Sequence, residues 1–200
     1  MLKRIEKDVL LENPDLVILM VGTNDMVNSK KMVSDLQFKK NYQCLIDQLK
    51  AQKIMVVAMS PPPVDTGYLF IRHDRKLYSE DPNLKLITAG NIVKQLAADN
   101  EFHFIDLNSA FKAKDSPNRG FNSLIINELN FNMKDGIHPT KEGYKFIAEI
   151  VSAYLKKKKL LKNSKKIICF GDSITFGSFM TGAGTAEGDT YPALLKKIIN

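Results

Sequence analysis

The stretch Ile167-Ile168-Cys169-Phe170-Gly171-Asp172-Ser173-Ile174-Thr175-Phe176-Gly177 decides how the fold of this 200-residue chain is interpreted. An apolar run reaches a glycine, an acid and a serine, and small or polar residues follow. This pattern predicts a buried strand that ends in a tight turn with a hydroxyl at its tip. Because open α/β folds bind their ligands at the carboxyl ends of parallel strands, Ser173 is the first candidate functional residue.

Further apolar runs predict a parallel sheet around this strand. The four predicted strands are 16–21, 53–59, 102–106 and 166–170. Helical patterns are predicted at 2–12, 34–52, 83–100, 140–161 and 191–199, with a short helix in the irregular stretch at 121–130. Strands that alternate with helices indicate a three-layer, flavodoxin-like α/β fold with helices on both faces of the sheet. We expect residues 1–200 to form a single domain.

Composition narrows the class of protein. The chain is 44% hydrophobic and 26% charged, and no apolar run approaches the roughly 18 residues of a membrane span. Residues 1–12 mix charged and apolar residues at helical spacing, which is unlike a secretory signal. We therefore expect the chain as written to be cytoplasmic, while a signal peptide on a longer parent gene stays open. Cys44 and Cys169 indicate neither a disulfide framework nor a metal site.

The net charge of +7 raises the question of an anionic partner. Seven of the 29 basic residues fall between Lys156 and Lys166, at the end of a predicted helix. Cations at a helix C-terminus are favoured by the helix dipole, and no aromatic residues alternate with these lysines to stack on bases. The pattern favours a solvated helix end and predicts no nucleic-acid partner, although weak binding of an anionic lipid or nucleic acid remains an alternative.

Three polar turns follow predicted strands or precede predicted helices. They are Gly171-Asp172-Ser173, Gly22-Thr23-Asn24-Asp25 and Asp135-Gly136-Ile137-His138. Each alone is an ordinary turn, but together they contain the parts of an acyl-transfer site. A serine hydroxyl needs an adjacent base such as imidazole, and a carboxylate must orient that imidazole. The Asn24 amide and the Ser173 backbone N–H are candidate donors to an oxyanion.

These blocks resemble the SGNH hydrolases, also called GDSL esterases and lipases. The resemblance implies that Ser173 is the nucleophile, His138 the general base and Asp135 the acid that orients it. It also implies an oxyanion hole formed by Asn24 and the Ser173 N–H, with Asp172 and Gly22 in supporting roles. The implied substrate is a small-molecule carboxylic ester, and the family includes lipases, lysophospholipases, thioesterases and acetyl esterases. No metal ion or organic cofactor is implied.

The chain departs from the family pattern in two ways. The order of the blocks is rotated, which predicts a circularly permuted domain with its junction near 162–166. The family's second block, which provides a strand and a glycine N–H for the oxyanion, has no counterpart before Leu16 or after Tyr191. We therefore expect a four-stranded sheet whose strand 166–170 is an exposed edge, through which the chain could form an oligomer. The alternative function is a weakly active or non-catalytic domain that binds a ligand or partner.

One aromatic segment could serve either of two purposes. Tyr68, Leu69 and Phe70 follow the proline run Pro61-Pro62-Pro63 after the second predicted strand. Their position near a strand's carboxyl end would allow them to line an acyl pocket, and ordinary packing in the core explains them equally well.

Overall fold

A computed structural model describes residues 1–200 as strands alternating with helices. The strands are β1 (Leu16–Met20), β2 (Met55–Met59), β3 (His103–Ile105) and β4 (Ile167–Gly171). The helices are α1 (Ile5–Asp8), α2 (Thr23–Val27), α3 (Asp35–Ala51), α4 (Thr66–Arg72), α5 (Pro82–Asn100), α6 (Leu107–Lys112), α7 (Glu128–Phe131), α8 (Lys141–Lys157), α9 (Ser173–Phe176) and α10 (Tyr191–Ile199). Short 3₁₀ turns lie at Leu10–Glu12, Arg75–Leu77 and Leu160–Asn163. No helix is both long enough and apolar enough to span a bilayer.

The four strands form one parallel sheet in the order β3-β2-β1-β4. Leu16 pairs with Met55 on one side and with Ile167 on the other, so β1 and β2 lie in the centre. The last strand in the chain therefore lies beside the first. β4 has β1 as its only neighbour and forms an edge of the sheet, as the sequence predicts.

Side chains from both faces of the sheet are buried, which produces three layers. Every residue of β1 is buried, and alternate side chains point to opposite faces because a strand repeats every two residues. On one face Val17 and Leu19 join a core that includes Phe38 and Val93 from α3 and α5. On the other face lies a second core, formed with β1 by α8 and α10 through Tyr144, Ile147, Tyr191 and Leu195. The predicted three-layer α/β class is confirmed.

Helix starts follow local capping rules. The Ser34 hydroxyl accepts a hydrogen bond from the Gln37 N–H at 3.2 Å and begins α3. Thr140 accepts from the Gly143 N–H at 3.1 Å and begins α8. Each cap satisfies a backbone donor that has no partner within the helix, so these starting points are readable from sequence.

Several predicted boundaries are wrong. The helix predicted at 2–12 is only one turn, α1, followed by a 3₁₀ turn that ends at Glu12, because the next residue, Asn13, is left-handed with φ 48°. The helix predicted to reach 161 ends at Lys157, since Lys159 is left-handed with φ 57°. Of the stretch 121–130, where a short helix is predicted, only residues 128–130 are helical, as part of α7, and α6 is not predicted. The two polar turns after β1 and β4 continue directly into the short helices α2 and α9.

Candidate active site

The three polar turns meet at the carboxyl end of the sheet. β1 leads through Gly22 into α2, which carries Asn24, and β4 leads through Asp172 into α9, which begins with Ser173. Met20 and Gly171 are register partners, so these two strand ends lie side by side. The turn that contains Asp135 and His138 precedes α8 and brings its imidazole to Ser173.

Ser173, His138 and Asp135 form a continuous chain of hydrogen bonds. The Ser173 Oγ lies 2.9 Å from His138 Nε2. His138 Nδ1 lies 3.0 and 3.1 Å from the two carboxylate oxygens of Asp135, whose side chain is only 1% exposed. A carboxylate can only accept, so Nδ1 carries the proton and Nε2 is left to accept from the serine hydroxyl. This tautomer is the one that general-base catalysis requires.

The turn from Asp135 to His138 is held by its own carboxylate. Asp135 Oδ2 accepts from the backbone N–H groups of Ile137 at 2.9 Å and His138 at 2.6 Å. Gly136, between Asp135 and Ile137, has φ 71°, and a Cβ at this position would lie 2.8 Å from the Tyr68 Cβ. Only glycine fits this position without displacing its neighbours. The fixed turn places the carboxylate directly behind the imidazole.

Arg72 also contacts the buried acid. Its Nη1 donates to Asp135 Oδ1 at 2.8 Å and its Nη2 donates to the Asp135 carbonyl at 2.5 Å. Burial acts to raise the pKa of Asp135, but hydrogen bonds and charge from His138, aided by Arg72, hold that pKa well below its usual range. Arg72 ends α4 in a stretch without a motif, so nothing in the sequence indicates this contact.

A chain of amides orients Asn24. The Lys30 N–H donates to Asn28 Oδ1 at 3.1 Å, and Asn28 Nδ2 donates to Asn24 Oδ1 at 3.0 Å. Asn24 Nδ2 then donates to Asp172 Oδ2 at 3.0 Å. A backbone N–H can only donate and a carboxylate can only accept, so the direction of every bond between them is determined. One N–H of the Asn24 amide remains for another acceptor.

Asp172 holds the turn that presents Ser173. Its Oδ1 accepts from the Ile174 N–H at 3.2 Å and caps α9. Burial raises the pKa of Asp172, while the hydrogen bond from Asn24 opposes that rise. Gly22, the cap of α2, has φ 126°, and a Cβ there would lie 3.2 Å from the Phe38 ring. Asp172 and Gly22, the two predicted supporting residues, therefore stabilise the turns that carry Ser173 and Asn24. Neither residue forms a hydrogen bond with His138.

Aromatic residues around the site divide into packed and exposed ones. Tyr68 and Leu69 are buried, and the Phe70 ring packs against Tyr78 at 5.3 Å, so residues 68–70 belong to the core rather than to an open acyl pocket. In contrast, the exposed Phe179 ring meets the His138 ring edge-on at 5.2 Å. Sequence reasoning missed Phe179, since it lies in a loop without regular periodicity.

The other two histidines, His73 and His103, lie outside the site and each contacts a hydroxyl group. Ser29 Oγ is 2.8 Å from His73 Nδ1, and His103 Nδ1 is 3.3 Å from the Tyr154 hydroxyl. Neither imidazole has a carboxylate among its hydrogen-bond partners. The geometry of a nucleophile, a base and an orienting acid therefore occurs at Ser173 and at neither of these two histidines.

A cavity of about 450 Å³ lies beside Asn24 and Asp172. Its wall is lined by residues 1–4 and by Val21, Asn24, Asp25, Lys31, Phe38, Asn41, Tyr42, Leu45 and Asp172. The hydroxyl of Tyr42 is buried and has no hydrogen-bond partner.

The family model for GDSL-like lipases and acylhydrolases matches residues 1–151. The matched residues include Asn24, Asp135 and His138 and end before Ser173. An acetylxylan esterase from Geobacillus stearothermophilus is 27% identical over 146 residues, which are 72% of this chain and 61% of that protein. This chain thus spans about three fifths of the length of that relative.

Solved structures share the fold. The acetyl xylan esterase AlAXEase has a TM-score of 0.61 at 27% identity, over 77% of this chain and 73% of its own. A lipase/acylhydrolase from Enterococcus faecalis has a TM-score of 0.60 at 24% identity, over 78% of this chain and 69% of its own. The match to the family model covers more than half of the sequence, and the chain therefore belongs to the GDSL-like lipase/acylhydrolase family.

Proposed function

We propose that the chain hydrolyses carboxylic esters through an acyl-enzyme formed on Ser173. The observation that carries this proposal is the 2.9 Å contact between Ser173 Oγ and His138 Nε2, with the Asp135 carboxylate on the opposite ring nitrogen. The serine oxygen attacks the ester carbonyl while Nε2 takes its proton, and the imidazolium then protonates the departing alcohol. Water attacks the acyl-serine in the second half, with His138 again as base.

Two donors are available for the oxyanion. Ser173 is the first residue of α9, and its backbone N–H donates to no other group. The Asn24 Nδ2 amide retains one N–H after its bond to Asp172. The family's glycine N–H would be a third donor, and it has no counterpart in the sequence. Since one such donor contributes about 10²–10³ in rate, we expect turnover to be lower than with a three-donor site by up to that factor.

The acyl group we propose is short. Of the four cavities of 350 to 480 Å³, one adjoins Asn24 and Asp172 and the other three lie elsewhere on the surface, and neither Ser173 nor His138 lines any of them. A long acyl chain needs an enclosed apolar pocket, because most of its surface has to leave water. Two of the relatives are acetylxylan esterases by name, which also favours acetyl esters as substrates.

The test compares two serines that both contact a histidine. Hydrolysis of p-nitrophenyl acetate and butyrate is measured for the wild type, Ser173→Ala and Ser29→Ala. We expect Ser173→Ala to lose at least about 10³-fold in kcat and Ser29→Ala to keep wild-type kcat. A fluorophosphonate probe should label Ser173 alone. Equal rates in the wild type and Ser173→Ala, or labelling of Ser29 instead, would exclude the mechanism.

We also propose that residues 1–200 form one domain in which the family's blocks are rotated. β4 lies beside β1 in the sheet. Asp15, just before β1, holds the start of β4 in this position, because its Oδ2 accepts from the N–H groups of Lys165 and Lys166 at 2.8 Å. A chain that carries residues 166–200 ahead of residue 1, joined by a Gly/Ser linker, should therefore reach the same fold. Its far-UV circular dichroism and esterase rate should match those of the original order, and an unfolded product would contradict the rotation.

A second candidate function is binding of a partner at the edge of the sheet. β4 pairs on one side only, and the 450 Å³ cavity with the unpaired Tyr42 hydroxyl lies close to its carboxyl end. Unpaired strand edges are templates for pairing with another chain. Light scattering coupled to gel filtration tests this directly: a dimer that Cys169→Pro in β4 converts to a monomer supports edge pairing, and a monomer at all concentrations opposes self-association.

A further inference from the structure

The strand that carries the proposed nucleophile is held on its open side by one arginine. β4 has β1 as its only neighbour, so one row of its backbone groups has no partner strand. Residues of a parallel strand face its two sides alternately, and Lys166 faces β1, where its carbonyl accepts from the Leu16 N–H. The Gly171 carbonyl, an odd number of residues later, therefore faces the open side. There it accepts from Arg4 Nη2 at 2.9 Å.

Arg4 is fixed by further contacts. Its guanidinium carbon lies 5.4 Å from the centroid of the buried Phe170 ring, and its Nη1 pairs with Asp8 Oδ2 at 2.8 Å. Arg4 directly precedes α1, which is anchored in the core by the fully buried Ile5. Because the planar guanidinium can donate to two acceptors at once, this single side chain joins α1 to the end of β4.

The bonded carbonyl belongs to the peptide unit that begins the nucleophile turn. The planar peptide joins the Gly171 carbonyl rigidly to the Asp172 N–H, so a fixed carbonyl sets the direction in which Asp172 leaves the strand. The Asp172 carboxylate in turn accepts from Asn24 Nδ2 at 3.0 Å and caps α9. Arg4 thus acts at the start of the turn that places both Ser173 and Asn24.

The two sides of this turn differ in the space that they leave. On the inner side Gly171 is closely packed, since a Cβ there would lie 2.6 Å from the Met20 carbonyl oxygen. On the outer side, the cavity of about 450 Å³ extends along Arg4, Asn24 and Asp172. The turn therefore has space to shift outward once the bond from Arg4 is lost.

From these contacts we infer that Arg4 is a positioning residue for the proposed nucleophile. It acts through the Gly171 carbonyl and forms no hydrogen bond with Ser173 or His138. The inference rests on the proposed esterase function, because it concerns the placement of Ser173 and of the Asn24 donor. A displacement of about 1 Å in reacting groups can cost about 10²-fold in rate, so one hydrogen bond at this peptide can control turnover.

The test removes the donor and keeps the bulk of the side chain. Hydrolysis of p-nitrophenyl acetate is measured for the wild type, Arg4→Met and Arg4→Lys. Methionine still covers the Phe170 ring but cannot donate, so kcat should fall about 5- to 50-fold while KM stays within about twofold. Lysine keeps a charged donor and should restore at least about threefold of that loss.

Arg75→Met is the matched control for the loss of an arginine. Arg75 also lies over a phenylalanine ring, 5.6 Å from the centroid of Phe70, and no hydrogen bond joins it to the nucleophile turn. We expect Arg75→Met to keep the wild-type kcat. Urea titration of every variant shows whether a change in kcat merely follows the fraction of unfolded protein.

A measurement without turnover separates this inference from the proposed function. In nuclear magnetic resonance spectra of isotope-labelled protein, the backbone amide signals of Asp172 and Ser173 should shift and broaden in Arg4→Met and stay in place in Arg75→Met. If Ser173→Ala hydrolyses the ester as fast as the wild type, the proposed function fails, and the amide signals still decide whether Arg4 positions the turn.

Other results would overturn the role of Arg4. Unchanged amide signals and unchanged kcat in Arg4→Met would show that the turn holds its place without the arginine. A fall in kcat that equals the loss of folded protein would reduce Arg4 to a stabilising contact. A dimer formed by Arg4→Met in light scattering, with kcat unchanged, would assign the arginine to shielding the edge of β4 instead.

Discussion

Replacing Asn28 with aspartate should disturb Asn24, the proposed oxyanion donor, without contacting the substrate. Asn28 receives the Lys30 N–H on Oδ1 and donates through Nδ2 to Asn24 Oδ1 at 3.0 Å. Aspartate has nearly the same shape and still accepts from Lys30. Its second oxygen can only accept, so it would face the Asn24 Oδ1 at the distance of a hydrogen bond with no proton between them.

The size of the effect follows from the contacts of Asn24. If its amide keeps its orientation, one oxygen–oxygen contact at about 3.0 Å arises at Asn28; if it flips, the same contact arises at Asp172. Either arrangement replaces a hydrogen bond of about 0.5–1.5 kcal/mol with repulsion. Asn24 then leaves its position, and loss of this proposed oxyanion donor should lower kcat by about 10²–10³. KM should change little, because the oxyanion exists only in the transition state.

The assay is a double-mutant cycle on p-nitrophenyl acetate. Kinetics are measured for Asn28→Asp, Asn24→Ala and the double variant, with urea unfolding to confirm that all of them fold. If Asn28 acts through Asn24, the second substitution adds nothing to the first. Equal losses of kcat from Asn28→Asp in the wild type and in Asn24→Ala would refute the claim that Asn28 acts through Asn24. Asn91→Asp, on the exposed side of α5, is the control for the added negative charge.

Further predictions concern the acid behind the imidazole. Arg72→Leu removes two hydrogen bonds to Asp135 and should lower the free energy of unfolding by about 1–2 kcal/mol in urea titrations, together with kcat. Gly136→Ala should destabilise the fold by at least about 1–2 kcal/mol, because φ is 71° and the added Cβ meets Tyr68; unchanged urea unfolding would contradict the turn geometry. The pKa of Asp135 is lowered on folding, so its stabilisation is complete above the unfolded pKa of about 4 and is lost as the pH falls below it. Unfolding free energies measured from pH 6 to pH 2 should decline less in Asp135→Asn than in the wild type.

Much of the fold could be predicted from the sequence because its signals are local. A parallel strand is a short apolar run, and β1 and β4 are readable as such from five consecutive residues each. β1 is buried throughout, whereas β4 lies at the edge of the sheet and is half-buried except at Phe170, so the sequence overstates its burial. Ser34 and Thr140 mark helix starts through their own side chains. Helix ends were harder to predict, since a left-handed residue such as Lys159 carries no compositional mark.

For the candidate site, the residue types can be predicted from sequence, but their relative positions cannot. The residue types and their spacing within each turn predict the serine, the imidazole with its acid, and the amide. The positions of these groups in space depend on the order of the strands, which places β4 beside β1 although they are at opposite ends of the chain. The 2.9 Å contact between His138 and Ser173 is consistent with the prediction made from the blocks, and their catalytic roles stay a prediction until they are measured.

The sequence by itself determined the fold class, the family and the candidate residues, because each of these depends on patterns within one segment. Only the tertiary structure decided which further groups surround them. Arg72 reaches Asp135 across 63 residues of sequence, and Phe179 meets His138 from a loop without a motif. Such contacts form when separate elements pack together, and no local pattern specifies them.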